Sequence, residues 1–258
     1  MHPILFEAGP ITIYTYGFLI AVGAALGFTY MWRQGKTEFG ITFDQANTLF
    51  IILIIAGVVG GKLFMIFEDP AYYLNHPGRL VSGRGFVFYG SLLLCIPTML
   101  LFFKRNKLPT LAMLDIMAIV TCIVHGFGRL ACFMAGCCYG LPTDSWLGVI
   151  FTDPVCQARP LNTPIHPTQL YESVFIFLLM TALFFLKNKK KFDGQVFLVY
   201  LTFYAIGRSI IEIFRGDIER GFVIRNFLSN SQFISLLIVA GAVYFYVKLS
   251  RKVNFKIK

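Results

Sequence analysis

The sequence predicts an all-α polytopic membrane protein. About seven transmembrane helices form a single integral membrane domain over residues 1–258, with a small outer-face cap built from loops. Three observations carry this. Of the 258 residues, 57% are hydrophobic and only 14% are charged, against about a quarter charged in ordinary soluble domains. Mean hydropathy is +0.69. The apolar residues also gather into runs of the length a bilayer requires, about 20 residues at about 1.5 Å each to cross about 30 Å of hydrocarbon.

The seven runs are Ile11–Trp32, Gln45–Phe67, Phe86–Phe103, Leu111–Met134, Thr168–Leu186, Gln195–Phe214 and Ser231–Leu249. The third is short and contains Pro97, which predicts a tilted, kinked or partly re-entrant path. The first is long enough to span and lacks a basic segment before it, so no cleavable signal peptide is expected. Two connections are long and rich in Gly, Pro and aromatic residues, approximately 68–85 and 137–167. They are expected to build the cap.

Net charge is +10, but its distribution argues against nucleic acid as a partner. Basic residues stand in short clusters between apolar runs, which is a topology signal. With the N-terminus outside, the inner segments hold Arg33, Lys36, Lys104, Arg105, Lys107, Lys187, Lys189, Lys190, Lys191, Lys248, Arg251, Lys252, Lys256 and Lys258. The outer loops hold Arg79, Arg84, Arg159, Arg215, Arg220 and Arg225, and Lys62, Arg129 and Arg208 fall within runs. The bias predicts a multi-pass protein with its N-terminus outside and its C-terminus inside.

Lys62, Asp115, Arg129, Glu172, Arg208 and Glu212 lie in or at the ends of apolar runs. Each costs about 2.5–3.5 kcal/mol at mid-membrane unless it is paired or hydrated. Taken singly, Lys62 and Asp115 fit a structural ion pair as well as a functional role. For Arg129, Arg208 and Glu212 a functional role is the better account, because packing does not explain several buried charges together. Tyr204, Arg208 and Glu212 are spaced i, i+4, i+8 and share one helix face. His125 and Arg129 are likewise one turn apart. Two guanidinium groups converging from different helices make an anion site, and the abundant anion of a membrane is a lipid phosphate.

The six cysteines are Cys95, Cys122, Cys132, Cys137, Cys138 and Cys156. Packing is the first expectation for them and a disulfide from Cys156 to Cys137 or Cys138 the second. A metal site ranks third, because an adjacent Cys pair departs from the usual ligand spacings. No metal or other cofactor is expected. His166, which opens the fifth run beside the cap loop, is a candidate site residue.

These segments resemble one known family. GRLACFMAGCCYG (Gly128–Gly140), HPTQLYE (His166–Glu172), YAIGRSIIEIFRGD (Tyr204–Asp217) and GGKLFMIFEDPAYYLNHP (Gly60–Pro77) are similar, in order and spacing, to motifs of the bacterial prolipoprotein diacylglyceryl transferases. YTYG near the start and SQFIS near the end also fit. The resemblance implies seven spans in the bacterial cytoplasmic (inner) membrane. It implies transfer of a diacylglyceryl group from phosphatidylglycerol to the lipobox cysteine thiol of a prolipoprotein, with glycerol-1-phosphate leaving. By the same resemblance Arg129 holds the lipid phosphate and Arg208 steadies the departing phosphate. Glu212 and Tyr204 support Arg208, and Tyr16 and Gly140 fall where the family's substrate-lining residues lie. Such chemistry needs cations that gain interaction as charge builds on the leaving group, together with a thiolate.

The chain departs from the family in three places. FYGS puts Tyr89 where an HGG histidine is usual, Cys132 stands where Asn is usual, and Cys137 where Glu is usual. The base therefore stays open. A phenol titrates well above neutrality and an imidazole near it, so Tyr89 is expected to position substrate, with proton removal shared with His125, His166 or water. Three other functions compete: a related transferase with a different acceptor, a transporter or lipid-binding protein using the same charges, and a membrane redox protein using the cysteines. The absence of repeated halves counts against a transporter. The absence of CxxCH or a paired-His pattern counts against a redox protein.

The charge bias makes one direct prediction. A C-terminal alkaline phosphatase fusion should be inactive and an N-terminal reporter should be exposed outside; an active C-terminal fusion would require an even number of spans.

Overall fold

In a computed structural model of the chain, the described residues are 2–9, 11–81, 85–216, 222–224 and 228–256. Arg84, Asp217, Arg220, Arg225 and Lys258 lie outside them. Seven helices are long and apolar enough to cross a membrane, and the protein is an all-α polytopic membrane protein. Large apolar side chains such as Ile54, Leu178, Phe185 and Leu236 are left exposed along these helices. A water-soluble fold would not display so many, whereas lipid accepts them.

The elements follow in order. A hairpin of β1 (Ile4–Ala8) and β2 (Ile11–Tyr14) precedes α1 (Thr15–Phe39) and α2 (Phe43–Glu68). Short helices α3 (Pro70–Asn75) and α4 (Gly78–Val81) lead to α5 (Phe88–Arg105) and α6 (Thr110–Ala135). Strands β3 (Val149–Ile150) and β4 (Pro164–Ile165) pair before α7 (Thr168–Lys187) and α8 (Gln195–Ile211). A 3-10 turn over Glu212–Phe214, β5 (Phe222–Ile224), β6 (Leu228–Ser229) and α9 (Asn230–Lys256) complete the chain.

The first run therefore becomes helical only at Thr15. Ile11–Tyr14 is three β-branched residues followed by an aromatic, all good strand formers, and pairs antiparallel with Ile4–Ala8 across a turn at Gly9, whose φ is +57°. Pro97 does not break α5, which is one continuous helix. The sixth run is α-helical only to Ile211 before it tightens into the 3-10 turn.

The chain divides into two compact units, one of residues 1–30 with 114–258 and the other of residues 31–113. In the smaller unit α2 packs on α5 through glycine. A Cβ at Gly60 would lie 2.4 Å from the Gly90 carbonyl oxygen, and one at Gly90 equally close to that of Gly60. Only glycine lets the two backbones approach so closely. Ser91 Oγ then donates to Gly57 O at 2.7 Å. Lys62 Nζ donates to Gly85 O at 2.9 Å, a local structural tie.

The larger unit is centred on α6, the most deeply buried of the seven long helices. Ala118, Ile119 and Cys122 of α6 meet Ile176, Leu179 and Leu183 of α7 and Val196 and Tyr200 of α8. These positions recur at helical spacing, which is why one stripe per helix is buried. Gly126 of α6 lies under the Phe177 ring, and Ser173 Oγ donates to Gly126 O at 3.1 Å.

Asp115 resolves as a structural charge. It is fully buried, and both its oxygens are used. Oδ2 accepts from Gly194 N at 2.9 Å and Lys190 Nζ at 3.0 Å, and Oδ1 accepts from Phe197 N at 3.0 Å. The carboxylate thus caps the N-terminus of α8 from a different helix, where exposed N–H groups and the helix dipole favour an anion. Burial opposes the Lys190 charge, but hydrogen bonds to Asp193 and Asp115 outweigh it and hold that ammonium above the ordinary lysine range.

Asp115→Ala should lower the thermal unfolding temperature of the detergent-solubilised protein, by roughly 2–4 kcal/mol of lost stability. Asp115→Asn should fall between it and the wild type, since one oxygen still accepts. An unchanged melting curve for the alanine variant would mean the cap contributes nothing.

Candidate active site

The site is built around a carboxylate. Glu172 lies in the first turns of α7, 2% exposed. Its Oε2 is 3.0 Å from Arg129 Nε, and its Oε1 is 3.3 Å from both His125 Nε2 and the Tyr204 hydroxyl, which donates to it. Arg129 and His125 come from α6, one turn apart, and Tyr204 from α8. Three helices therefore meet on one side chain.

Arg129 Nε and His125 Nε2 are also 3.3 Å apart. The single Nε–H cannot serve the imidazole and the carboxylate equally. The hydrogen-bond line runs to the imidazole, and the carboxylate, though nearer, is held as an ion pair. Arg129 therefore donates to His125 Nε2 and pairs with Glu172 by charge, while His125 Nε2 also lies 3.3 Å from that carboxylate. His125 Nε2 thus stands between the guanidinium and the carboxylate. Glu172 grips the guanidinium at Nε alone. Among the described residues the terminal Nη groups make no other hydrogen bond, so the fork keeps donors for an incoming anion.

Arg208, on α8, follows Tyr204 by one turn and stands within electrostatic reach of Glu172 and Tyr204. Its Nη1 is 2.6 Å from Glu212 Oε2. The approach is off the line of a hydrogen bond, so this contact is held by charge. Glu212 is 7% exposed and occupies the 3-10 turn, which continues the face of α8. The spacing of Tyr204, Arg208 and Glu212 thus places all three on the side facing Glu172 and Arg129. Tyr16, in the first turn of α1, lies within electrostatic reach of Arg129.

His166 stands apart from this cluster. Its Nδ1 is 3.0 Å from the Tyr171 hydroxyl, and its ring packs edge-on against Phe214 and Tyr171. Its backbone accepts from Gly140 N at 2.9 Å and donates to Leu141 O at 2.9 Å. Gly140 is required there by space, since a Cβ would lie 2.6 Å from His166 Cβ and from the carbonyl oxygens of His166 and Phe214. Tyr89 belongs to the smaller unit, where it sits half exposed in the first turn of α5.

The segment after α6 has its own small core of Phe133, Phe151, Cys156, Ala158 and Ile165. It is pinned to α7 by Thr168 Oγ1 on Cys138 O at 2.8 Å and Gln169 Nε2 on Cys137 O at 2.6 Å. The disulfide considered for Cys156 is not formed. Cys156 is a free thiol buried in that core, and all six cysteines are free. Cys132, Cys137 and Cys138 instead bring their sulfurs within 4.8 Å of one another.

Glu172 is the buried carboxylate on which Arg129, His125 and Tyr204 converge. Its signal was a carboxylate inside an apolar run in HPTQLYE, but its partners sit 43 to 47 residues earlier and 32 residues later, so no local spacing pointed to them.

Comparison with known proteins agrees with this geometry. The sequence model of the family described as prolipoprotein diacylglyceryl transferase matches residues 3–248. The chain is 39% identical over 254 residues to a protein of Clostridium tetani (strain Massachusetts / E88) named phosphatidylglycerol–prolipoprotein diacylglyceryl transferase, covering 98% of this chain and 100% of that one. It is 34% identical over 248 residues to phosphatidylglycerol–prolipoprotein diacylglyceryl transferase 2 of Clostridium perfringens (strain 13 / Type A), covering 95% and 94%. A similarly named protein of Rickettsia bellii (strain OSU 85-389) is 32% identical over 257 residues, covering 96% and 95%. A match that runs from the first hairpin to the last helix, and includes the Arg129, Glu172 and Arg208 segments, places the chain in the prolipoprotein diacylglyceryl transferase family.

Proposed function

We propose that this chain transfers the diacylglyceryl group of phosphatidylglycerol to the lipobox cysteine thiol of a prolipoprotein, in a bacterial cytoplasmic membrane with its N-terminus outside. The observation that carries the reading is the convergence of Arg129 and Arg208 from two helices around the buried carboxylate of Glu172.

In the reaction the peptide sulfur forms a bond to the glyceryl carbon of the lipid. The bond from that carbon to the phosphate oxygen breaks, and glycerol-1-phosphate leaves with the electron pair. A phosphodiester carries one negative charge, and the departing monoester carries more. Arg129 and Arg208 with Glu172 and Glu212 sum to zero charge before substrate arrives. The anion therefore enters a site whose cations are held in place by their own carboxylates, and their attraction grows as the phosphate departs. Arg129 presents its Nη donors to the lipid phosphate, and Arg208 steadies the leaving group. Tyr204 and His125 hold Glu172, and through it the orientation of Arg129.

The thiol proton must be accepted. His125 Nε2 is engaged by Arg129 and lies against Glu172, so we assign the proton to His166, whose ring meets no carboxylate among the described residues, with Tyr171 orienting it. Tyr16 and Gly140 line the phosphate end, and Tyr89 positions the acceptor peptide. Acyl chains remain in surrounding lipid.

The reading as a whole is tested in a conditional strain depleted of its own diacylglyceryl transferase. Expression of this chain should restore growth and clear unmodified prolipoprotein, and persistent precursor accumulation would remove the assignment.

Two further outcomes follow from the geometry. Arg129→Ala and Arg208→Ala should each insert normally and lose transfer about 10- to 100-fold, from about 1.5–3 kcal/mol of lost charge-assisted contact. Lysine at either position should rescue only partly, because the planar fork is lost. Near-normal turnover in both alanine variants would discard the phosphate clamp. For the base, His166→Gln should slow transfer and flatten its pH–rate profile, while His125→Gln should raise KM with the profile unchanged. If Tyr89→Phe alone abolishes transfer and both histidine variants behave as wild type, the essential group is Tyr89.

A further inference from the structure

The three-thiol cluster at the end of α6 is used by no step above. Its geometry arises from the helix terminus. Cys137 N donates to Cys132 O at 3.1 Å and Gly136 N donates to Phe133 O at 3.2 Å, the paired bonds of a Schellman cap. Gly136 takes the left-handed conformation this cap requires, with φ +75°. The chain therefore doubles back, and Cys137 returns over Cys132 despite the four residues between them. Cys138 is itself left-handed, with φ +59°, a conformation uncommon for a residue with a side chain. It brings the third sulfur to the other two. The backbone of this turn is fixed from outside, since Gln169 holds Cys137 O and Thr168 holds Cys138 O.

We propose that Cys132, Cys137 and Cys138 form a binding site for a thiophilic d10 cation of the Cu(I) or Zn(II) class. Their sulfurs lie within 4.8 Å of one another. Three thiolates at about 2.3 Å from one metal stand about 3.8–4.0 Å apart, so small side-chain rotations close the site. All three are free thiols, neither fully buried nor fully exposed. Binding a divalent ion releases three protons and leaves a complex of one negative charge. Arg129 stands within electrostatic reach of Cys132 and Cys138, and Arg215 within reach of Cys138. An anionic metal–thiolate complex is thus stabilised by guanidinium groups already present. Soft ligands without carboxylates select against magnesium and calcium. Adjacent cysteines lack the usual linear ligand spacing, but the Schellman turn folds Cys137 and Cys138 back onto Cys132.

The test uses the purified full-length chain in detergent with a phosphine reductant and cadmium as the probe. Cadmium should give a sulfur-to-metal charge-transfer band that saturates at one ion per chain. Cys132→Ser and Cys138→Ser should each weaken binding by more than about tenfold, while Cys95→Ser, a cysteine of the other unit, should leave it unchanged. On the wild-type protein, cadmium should slow maleimide alkylation of Cys132, Cys137 and Cys138 while leaving the rate at Cys95 alone, a readout that needs no variant to fold. Absence of a saturable band, or a band of equal affinity in the Cys132 and Cys138 variants, overturns the site.

Discussion

The structure of the larger unit turns on one buried carboxylate. Glu172 is almost wholly removed from solvent, and an uncompensated charge at that depth would cost several kcal/mol. It is tolerated because Arg129, His125 and Tyr204 all reach it. Those partners come from α6 and α8, so the carboxylate is satisfied only when both helices hold the correct rotation against α7. The apolar stripe of Ile119, Cys122, Ile176 and Val196 sets that rotation. Gly126, beneath Phe177, and Gly207, beneath Phe175, give the helices the approach it requires.

Two kinds of buried charge share α6, and their hydrogen bonding tells them apart. Asp115 is about 21 Å along the helix from Arg129, counted at about 1.5 Å per residue. Both Asp115 oxygens are occupied by donors from the turn before α8 and from its first residues. Its bonds all go to the start of one helix, and its role is to anchor that helix end. Arg129 is gripped at Nε only, with its remaining donors unspent among the described residues. A charge held in place by one edge and open at the other is suited to binding. Arg208 and Glu212 are held close by charge, at 2.6 Å.

The segment after α6 links this site to its surroundings. Gly140 sits where no side chain fits, between His166 and Phe214. Backbone bonds tie residues 139–141 to His166 and to residues 214–216. Residues far apart in the chain, at the ends of α6 and α8 and the start of α7, are thereby held as one assembly.

Composition and local spacing specify the membrane class, the seven long helices with their ends placed to within seven residues, and the pairing of Arg208 with Glu212. Each of these depends on composition or on i, i+4 spacing, which survive in one dimension. The sequence also marked Glu172 and Asp115 as costly charges. It could not separate their roles, because partners 32 to 82 residues away decide them. The hairpin at Ile4–Tyr14 escaped a hydropathy count because a strand and a helix of the same apolar residues look alike to it. The thiol cluster escaped for a different reason. Linear spacing treats the chain as continuing outward after Ala135, whereas a left-handed glycine turns it back, and only the folded helix end decides which sulfurs meet.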